Sequence, residues 1–314
     1  MTEHALIARD LLEMAGVVDA EPKLSPIHGG RSGALTFQVD VGERRFVLRL
    51  QPQERFEEHF TQLVALQLLA GEVRIAPRVI ASCPRARALL SEHVPNQPMF
   101  PTLRGPGGPR VLRHIGAQLG RLHQLAAPPQ LTNRCPTERT LWAFSELGKA
   151  TPAFVRKAEA LARRIPSATG DAVCHLDLNP SNLMFDGERV RIIDWETAGL
   201  GDPAFDLATV VNLFVLDPPR AQALYEGYST QRKLPSEPAL FAARQRVYLA
   251  YGVEFLRQAA APAPDWPAET LPRLMDVYAA MSAGQLDMAS RDGQWRLGAA
   301  YLGELFQLTV NAAR

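Results

Sequence analysis

The sequence predicts an α+β protein with two lobes, a small β-rich N-terminal lobe and a larger, mainly helical C-terminal lobe. Alternation of apolar and polar residues between positions 35 and 50 predicts strands, and the chain beyond Phe205 has the apolar spacing of helices. A stretch dense in Pro and Gly begins at Pro95 between these two patterns. Such a stretch is typical of a loop, so we place the lobes at residues 1–95 and 96–314.

Composition limits the class of protein. The chain has 314 residues, of which 46% are apolar and 21% charged, so a substantial core can form. The net charge of +1 and the lack of long basic runs argue against nucleic-acid and membrane partners. Three cysteines without CxxC spacing predict neither disulfides nor structural zinc. With no signal peptide and no long apolar segment, we expect a cytoplasmic protein of unknown oligomeric state.

The N-terminal part predicts a helix over 6–18, a hairpin, a helix over 56–70 and then further strands. Phe46, Leu48 and Leu50 alternate with Arg49 on the second strand of the hairpin, and a glycine in "DVGE" provides the turn. The later strands are "PRVIAS" and "RALLSEHV". After the Pro/Gly-rich loop, "VLRHIGAQLGRLHQLA" has one apolar face and predicts an amphipathic helix.

Small polar residues cluster in "CHLDLNPSNLMF", just before a second predicted hairpin that turns at Asp186 and Gly187. Asn182 and Asp194 flank its two strands, so they should meet at the open end. Amide and carboxylate oxygens suit Mg²⁺, and a carboxylate at Asp177 could orient a hydroxyl group and accept its proton.

A phosphate-binding element is predicted near the first hairpin. The glycines of "HGGRSGA" would let backbone N–H groups approach phosphate oxygens, and Arg49 on the adjacent strand could hold the α- and β-phosphates. The segment matches neither a Rossmann nor a Walker pattern.

The pattern H-x-D-x-x-x-x-N followed by I-I-D-W-E resembles the aminoglycoside phosphotransferase and choline kinase superfamily, whose fold is protein-kinase-like. The resemblance is closest to small-molecule kinases of thiamine and choline, and its markers span about residues 29 to 210. It implies the following roles: Asp177 as catalytic base; Asn182 and Asp194 as Mg²⁺ ligands; Gly29, Gly30 and Ser32 as the phosphate loop; Arg49 as the strand cation; backbone from Glu92 to Val94 as the adenine hinge; His175 and Asp206 as braces of the catalytic loop.

One element departs from the family pattern. The family places a Glu on the following helix to pair with the strand cation. That position falls near Gln62 here, while Glu57 and Glu58 lie about one turn earlier. Which of the three faces Arg49 stays open.

The resemblance implies transfer of the γ-phosphoryl group of ATP, with Mg²⁺, to a hydroxyl of a small molecule such as thiamine or choline. Four residues are candidate contacts to such a cationic alcohol: Trp195, Tyr251, Glu254 and Phe255. An aromatic stripe on a helix is more often core. An aminoglycoside or sugar kinase is the alternative, and a non-catalytic nucleotide-binding protein is the alternative of another class. No D-F-G or A-P-E segment supports a protein kinase.

Overall fold

The computed structural model describes eight stretches of the chain: residues 2–17, 20–27, 33–52, 57–129, 131–147, 151–168, 170–259 and 270–312. An antiparallel sheet lies in the first third, and the rest is largely helical, so the predicted fold class is confirmed. Two compact units interleave along the chain. Unit 1 comprises Met1–Thr132, Ala172–Leu200 and Asp217–Leu234; unit 2 comprises Asn133–Asp171, Gly201–Leu216 and Pro235–Arg314. The lobe boundary after residue 95 stays a prediction.

The sheet of unit 1 has five strands in the order β1-β2-β3-β5-β4, and all neighbours are antiparallel. The strands are β1 (Lys23–Pro26), β2 (Leu35–Val41), β3 (Arg44–Leu50), β4 (Val79–Cys83) and β5 (Ala88–Glu92). Gly42, with φ of +58°, lies in the tight turn between β2 and β3. Phe46, Leu48 and Leu50 are buried while Arg49 is half-buried on the other face, as their alternation predicts.

Eleven α-helices lie within the described residues, and the helix predicted over 6–18 begins three residues earlier, after the Thr2 cap. They are α1 (Glu3–Met14), α2 (Glu57–Glu72), α3 (Met99–Arg104), α4 (Gly108–Leu122), α5 (Pro136–Glu146), α6 (Ala153–Ala162), α7 (Pro203–Leu213), α8 (Pro218–Ser229), α9 (Glu237–Ala259), α10 (Leu274–Ser282) and α11 (Arg291–Ala312). In unit 2, α5, α7 and α11 pack against the long α9. No helix of the described stretches combines the length and apolar character needed to cross a bilayer.

Helices α4 and α8 of unit 1 pack closely because glycines lie at their contact. A Cβ atom at Gly116 would lie 2.0 Å from the carbonyl oxygen of Leu224, and one at Gly227 would lie 2.0 Å from that of Arg113. Both distances are far inside van der Waals contact, so any larger side chain would push the helices apart. His123 at the end of α4 also shares a hydrogen bond of 3.0 Å with the Tyr228 hydroxyl.

Four short strands complete the chain's β structure within the described residues. They are β6 (Ala172–Cys174), β7 (Leu183–Phe185), β8 (Val190–Ile192) and β9 (Gly199–Gly201). Strand β6 pairs with β9, and β7 forms the predicted hairpin with β8. The Asp186 carboxylate accepts the backbone N–H groups of Glu188 and Arg189, which fixes the hairpin turn.

Candidate active site

The β7–β8 hairpin brings the segments of Asn182 and Asp194 to its open end. Leu183 pairs with Ile192 as the last strand pair, and the Ile193 N–H donates to the Asn182 carbonyl oxygen over 2.9 Å. This places both predicted metal ligands within two residues of one strand pair, as the hairpin pattern predicts.

Asn182 is bonded to the predicted base. Its side chain is only 5% exposed, and its Nδ2 donates to the backbone oxygen of Asp177 at 2.8 Å and to Asp177 Oδ2 at 3.1 Å. Because the side-chain nitrogen Nδ2 is directed at Asp177, the side-chain oxygen Oδ1 of Asn182 points to the other side of the planar amide group. One side chain thus orients the carboxylate and directs its own oxygen away from it.

A second amide binds the same carboxylate. Asn179 Nδ2 donates to Asp177 Oδ1 at 3.0 Å, and its own Oδ1 accepts the Ser181 N–H at 2.9 Å. The second bond caps a single 3₁₀ turn, Pro180–Asn182, that leads into β7. Both oxygens of Asp177 therefore have donors, which fixes the direction in which the carboxylate faces.

Two residues of the site have left-handed backbone conformations. Leu176, next to Asp177, has φ of +63°, and Asp194 has φ of +65°. Such conformations cost on the order of 1–3 kcal/mol each for residues other than glycine. The surrounding hydrogen bonds must offset this cost.

His175 binds the two segments of the site together. It is fully buried, and its Nε2 donates to the Ile193 carbonyl oxygen at 2.9 Å, since a carbonyl can only accept. The Thr197 hydroxyl donates to the His175 carbonyl at 3.0 Å, and the Trp195 ring packs edge-on at 5.0 Å. These contacts fit the bracing role implied for His175, which stays a prediction.

Arg49 has two acidic partners after β8. Its Nη2 lies 2.8 Å from Asp194 Oδ1 and 2.5 Å from Glu196 Oε1. Gln51 Nε2 donates to the same Oε1 at 2.7 Å. The sheet is thereby joined to the segment that follows the second predicted metal ligand.

Which residue of α2 also faces Arg49 stays open. Glu58 is exposed at the start of α2, Gln62 is half-buried one turn later, and the Glu57 side chain lies outside the described set. Helix α2 packs against the short turn Trp195–Thr197, which carries Glu196. The sequence reasoning missed Glu196 and Gln51, although Glu196 is the last letter of the "IIDWE" motif that it used.

The structure describes only some of the residues that are predicted to bind nucleotide. Gly29, Gly30 and Ser32 lie outside the described residues. The hinge is described: Glu92 ends β5, its N–H donates to the Arg78 carbonyl at 2.9 Å, and its Oε1 accepts the Arg78 N–H at 3.0 Å. Adenine contacts from the backbone of Glu92 to Val94 stay a prediction.

A comparison with known families identifies the family of this chain. Residues 23–241 match the profile of the phosphotransferase enzyme family, APH, and this is more than half of the chain. The chain belongs to this family. The predicted resemblance and the prediction of a phosphotransferase enzyme are confirmed at this level.

The alignments with individual relatives cover shorter parts of this chain than the family profile does. This phosphotransferase is 43% identical over 58 residues to Protein LicA of Haemophilus influenzae, which is 18% of this chain and 22% of LicA. It is 27% identical over 121 residues to a thiamine kinase of Salmonella typhimurium, 38% of this chain and 43% of the relative. The chain thus spans less than half the length of these curated relatives. A spectinomycin phosphotransferase solved with ADP and spectinomycin shares the fold, with a TM-score of 0.63 at 15% identity, over 96% of this chain and 98% of that one.

Asp206, the second predicted brace, belongs to unit 2. It is fully buried in the first turn of α7, which begins after Asp202 caps the Ala204 N–H at 2.9 Å. Asp202 also accepts a 2.8 Å hydrogen bond from the buried Arg246. A role of Asp206 at the catalytic loop stays a prediction.

The four predicted substrate contacts occupy different surroundings. Trp195 is 1% exposed and donates its indole N–H to the Ile192 carbonyl at 3.0 Å, so we leave it out of the proposed substrate contacts. In unit 2, the rings of Tyr251 and Phe255 lie 5.9 and 6.0 Å from the buried Tyr301 ring. Both are half-buried and stay predictions.

Glu254, between these two aromatics, already has donors. Arg257 binds both of its carboxylate oxygens, at 2.7 and 3.1 Å, and Gln258 adds a bond of 2.8 Å. Burial raises the pKa of Glu254, but the Arg257 and Gln258 hydrogen bonds outweigh it and hold the pKa below its usual value. The carboxylate is therefore charged and matched by Arg257 in this arrangement.

Proposed function

We propose that this phosphotransferase is an ATP- and Mg²⁺-dependent small-molecule kinase. Its acceptor is a hydroxyl group, and a cationic alcohol such as thiamine or choline is the first candidate. One observation carries the proposal: Asn182 binds Asp177 through its amide while the hairpin holds its backbone beside the Asp194 segment. A base and two oxygen ligands in one loop and hairpin are what phosphoryl transfer to a hydroxyl requires.

The donor set fits a magnesium ion. The Asn182 side-chain oxygen Oδ1 and the Asp194 carboxylate are hard oxygen ligands, and two protein ligands leave room for waters and phosphates, as Mg²⁺ prefers. When bound there, Mg²⁺ would neutralise charge on the transferred phosphate. Arg49, now bonded to one oxygen of Asp194, would provide a second positive charge for the phosphates.

The chemical step needs little covalent work from the protein. The acceptor oxygen forms a bond to the γ-phosphorus as the bond from that phosphorus to the β,γ-bridging oxygen breaks, and ADP leaves. Asp177, aimed by Asn179 and Asn182, orients the hydroxyl and takes its proton. Relatives of this fold bind nucleotide, since the spectinomycin phosphotransferase holds ADP.

The acceptor class rests on a weaker basis. The thiamine kinase relative favours a cationic alcohol, and Tyr251, Glu254 and Phe255 offer aromatic faces and a carboxylate. The spectinomycin phosphotransferase fold favours an aminoglycoside as the second candidate. A sugar acceptor completes the set.

An ADP-release assay with Mg-ATP tests the proposal. The acceptors would be thiamine, choline, ethanolamine, several sugars and several aminoglycosides. Asp177→Asn removes the base and should abolish turnover. Asp171→Asn, a change of the same kind at an exposed site, should keep it.

Acceptor-dependent turnover that is lost in Asp177→Asn alone would support the kinase and name its acceptor. Turnover that survives Asp177→Asn would refute the assigned base. A protein that neither turns over nor gains thermal stability from Mg-ATP would refute the nucleotide-dependent function.

A further inference from the structure

We propose that Glu196 is a positioning residue for Arg49, a role that the family pattern gives to an acid on the helix after the strand. The inference rests on the proposed function, which assigns Arg49 to the nucleotide phosphates. The ion pair itself does not depend on it.

The contacts around Glu196 are short and partly shielded from water. Glu196 Oε1 accepts from Arg49 at 2.5 Å and from Gln51 at 2.7 Å. The side chains of Arg49 and Glu196 are 20% and 11% exposed. A charge-assisted hydrogen bond at such a site is stronger and less screened by salt than one on the surface.

Strand geometry explains why Arg49 and Gln51 reach the same oxygen. They are two residues apart at the end of β3, so their side chains leave the same face of the sheet. The N–H of Gln51 donates to the Arg87 carbonyl at 3.0 Å, which continues the sheet past the last residue of β3. Glu196 therefore has two donors on a rigid support.

Helix α2 also contributes to the support of Glu196. It packs on the turn Trp195–Thr197, so it supports the element that carries Glu196. Its acid Glu58 is exposed. Glu196 is thus an acidic partner of Arg49 that lies on the turn packed against α2.

The arrangement has a consequence for Asp194. Arg49 Nη2 binds Asp194 and Glu196 together, at 2.8 and 2.5 Å. If Asp194 turns to a cation, Glu196 still holds the guanidinium near the phosphate position. Without Glu196, the bond from Arg49 to Asp194 would remain and would compete with the cation for that carboxylate.

The test measures ADP binding in magnesium-free buffer, where the contribution of Arg49 to binding is separated from metal binding and from turnover. Glu196→Gln should raise the Kd for ADP about 10- to 100-fold, the size expected for one lost bond between charged groups. Arg49→Gln should raise it by at least as much, and the double variant should add little more, because both changes break one arrangement. Glu58→Gln should leave the Kd unchanged. Gln51→Ala removes one bond to Glu196 and should cause a smaller loss, which keeps the test valid if Glu196→Gln folds poorly.

Additive losses in the double variant, or a loss in Glu58→Gln equal to that in Glu196→Gln, would overturn the proposal. So would normal magnesium-free ADP binding with a raised Mg²⁺ requirement, since that result would make Glu196 a metal ligand. Urea unfolding without nucleotide tests the ion pair separately, in wild type, Glu196→Gln, Arg49→Gln and the double variant. Losses of unfolding free energy that do not add in the double variant would support the pair. If wild-type protein binds no ADP, the proposed function and the positioning role both fail, whatever the unfolding result.

Discussion

Asn182 and Asn179 form a matched pair of amides, and comparing their alanine variants separates metal binding from the orientation of Asp177. Each donates to one oxygen of the Asp177 carboxylate, Asn182 at 3.1 Å and Asn179 at 3.0 Å. Only Asn182 is proposed to bind Mg²⁺. Truncating either one leaves a half-buried carboxylate short of a donor.

The stability losses should be similar. A hydrogen bond to a charged group contributes about 1.5–3 kcal/mol. Asn182→Ala also removes the bond to the Asp177 backbone oxygen, and Asn179→Ala also removes the cap on Ser181, each about 1 kcal/mol. Both variants should therefore lose about 2.5–4 kcal/mol of unfolding free energy, measured by urea titration.

The activities should differ. Asn179→Ala should keep Mg²⁺-dependent turnover within about tenfold of wild type, because one amide still orients the base. Asn182→Ala should lose about 10²–10³-fold, since a group that stabilises the transferred charge is gone. Equal losses in the ADP-release assay would refute the reasoning and reduce Asn182 to a second positioning residue.

Two further predictions concern stability. Gly116→Ala should lose about 3 kcal/mol of unfolding free energy in urea titration, because its Cβ would lie 2.0 Å from the Leu224 carbonyl oxygen. The control Gly303→Ala in α11, whose Cβ would have no atom nearer than 3.5 Å, should gain about 0.5–1 kcal/mol. An unchanged stability of Gly116→Ala would contradict the close packing of α4 and α8. Burial, reinforced by the charge of Arg191, lowers the pKa of His114 below its usual value of 6.5. The unfolded chain then binds a proton that the folded one resists, so stability should fall as pH drops below about 6.5. His114→Gln should lessen that fall in unfolding titrations at pH 8 and 5.5, and equal falls would show that His114 does not contribute.

The parts of the fold that local patterns determine could be predicted from the sequence. Alternation around Leu48 assigned the faces of β3, and the Asp186-Gly187 turn predicted the β7–β8 hairpin, because strand period and turn chemistry act over a few residues. That hairpin alone brought Asn182 toward Asp194.

Contacts between distant segments could not be predicted in this way. Arg49 and Glu196 are 147 residues apart, and no periodicity relates a strand to a turn at that separation. The family pattern indicated a helix partner for Arg49, and it did not indicate Glu196. Trp195 looked available to a substrate from its place beside Asp194, but the packing of His175 against it buries the ring.

The interleaving of unit 1 affects the order in which the chain can fold during synthesis. Helix α4 is complete at residue 122, but α8, which covers its glycine-bearing side, begins only at Pro218. The ribosome adds about 5–20 residues per second, so α8 is synthesised several seconds or longer after the glycine-bearing face of α4. Contacts of such long sequence separation form late, and the apolar surface of α4 is open to wrong partners in the meantime. Because of the close fit at Gly116, the packing of unit 1 cannot be completed until nearly a hundred further residues after α4 have been synthesised.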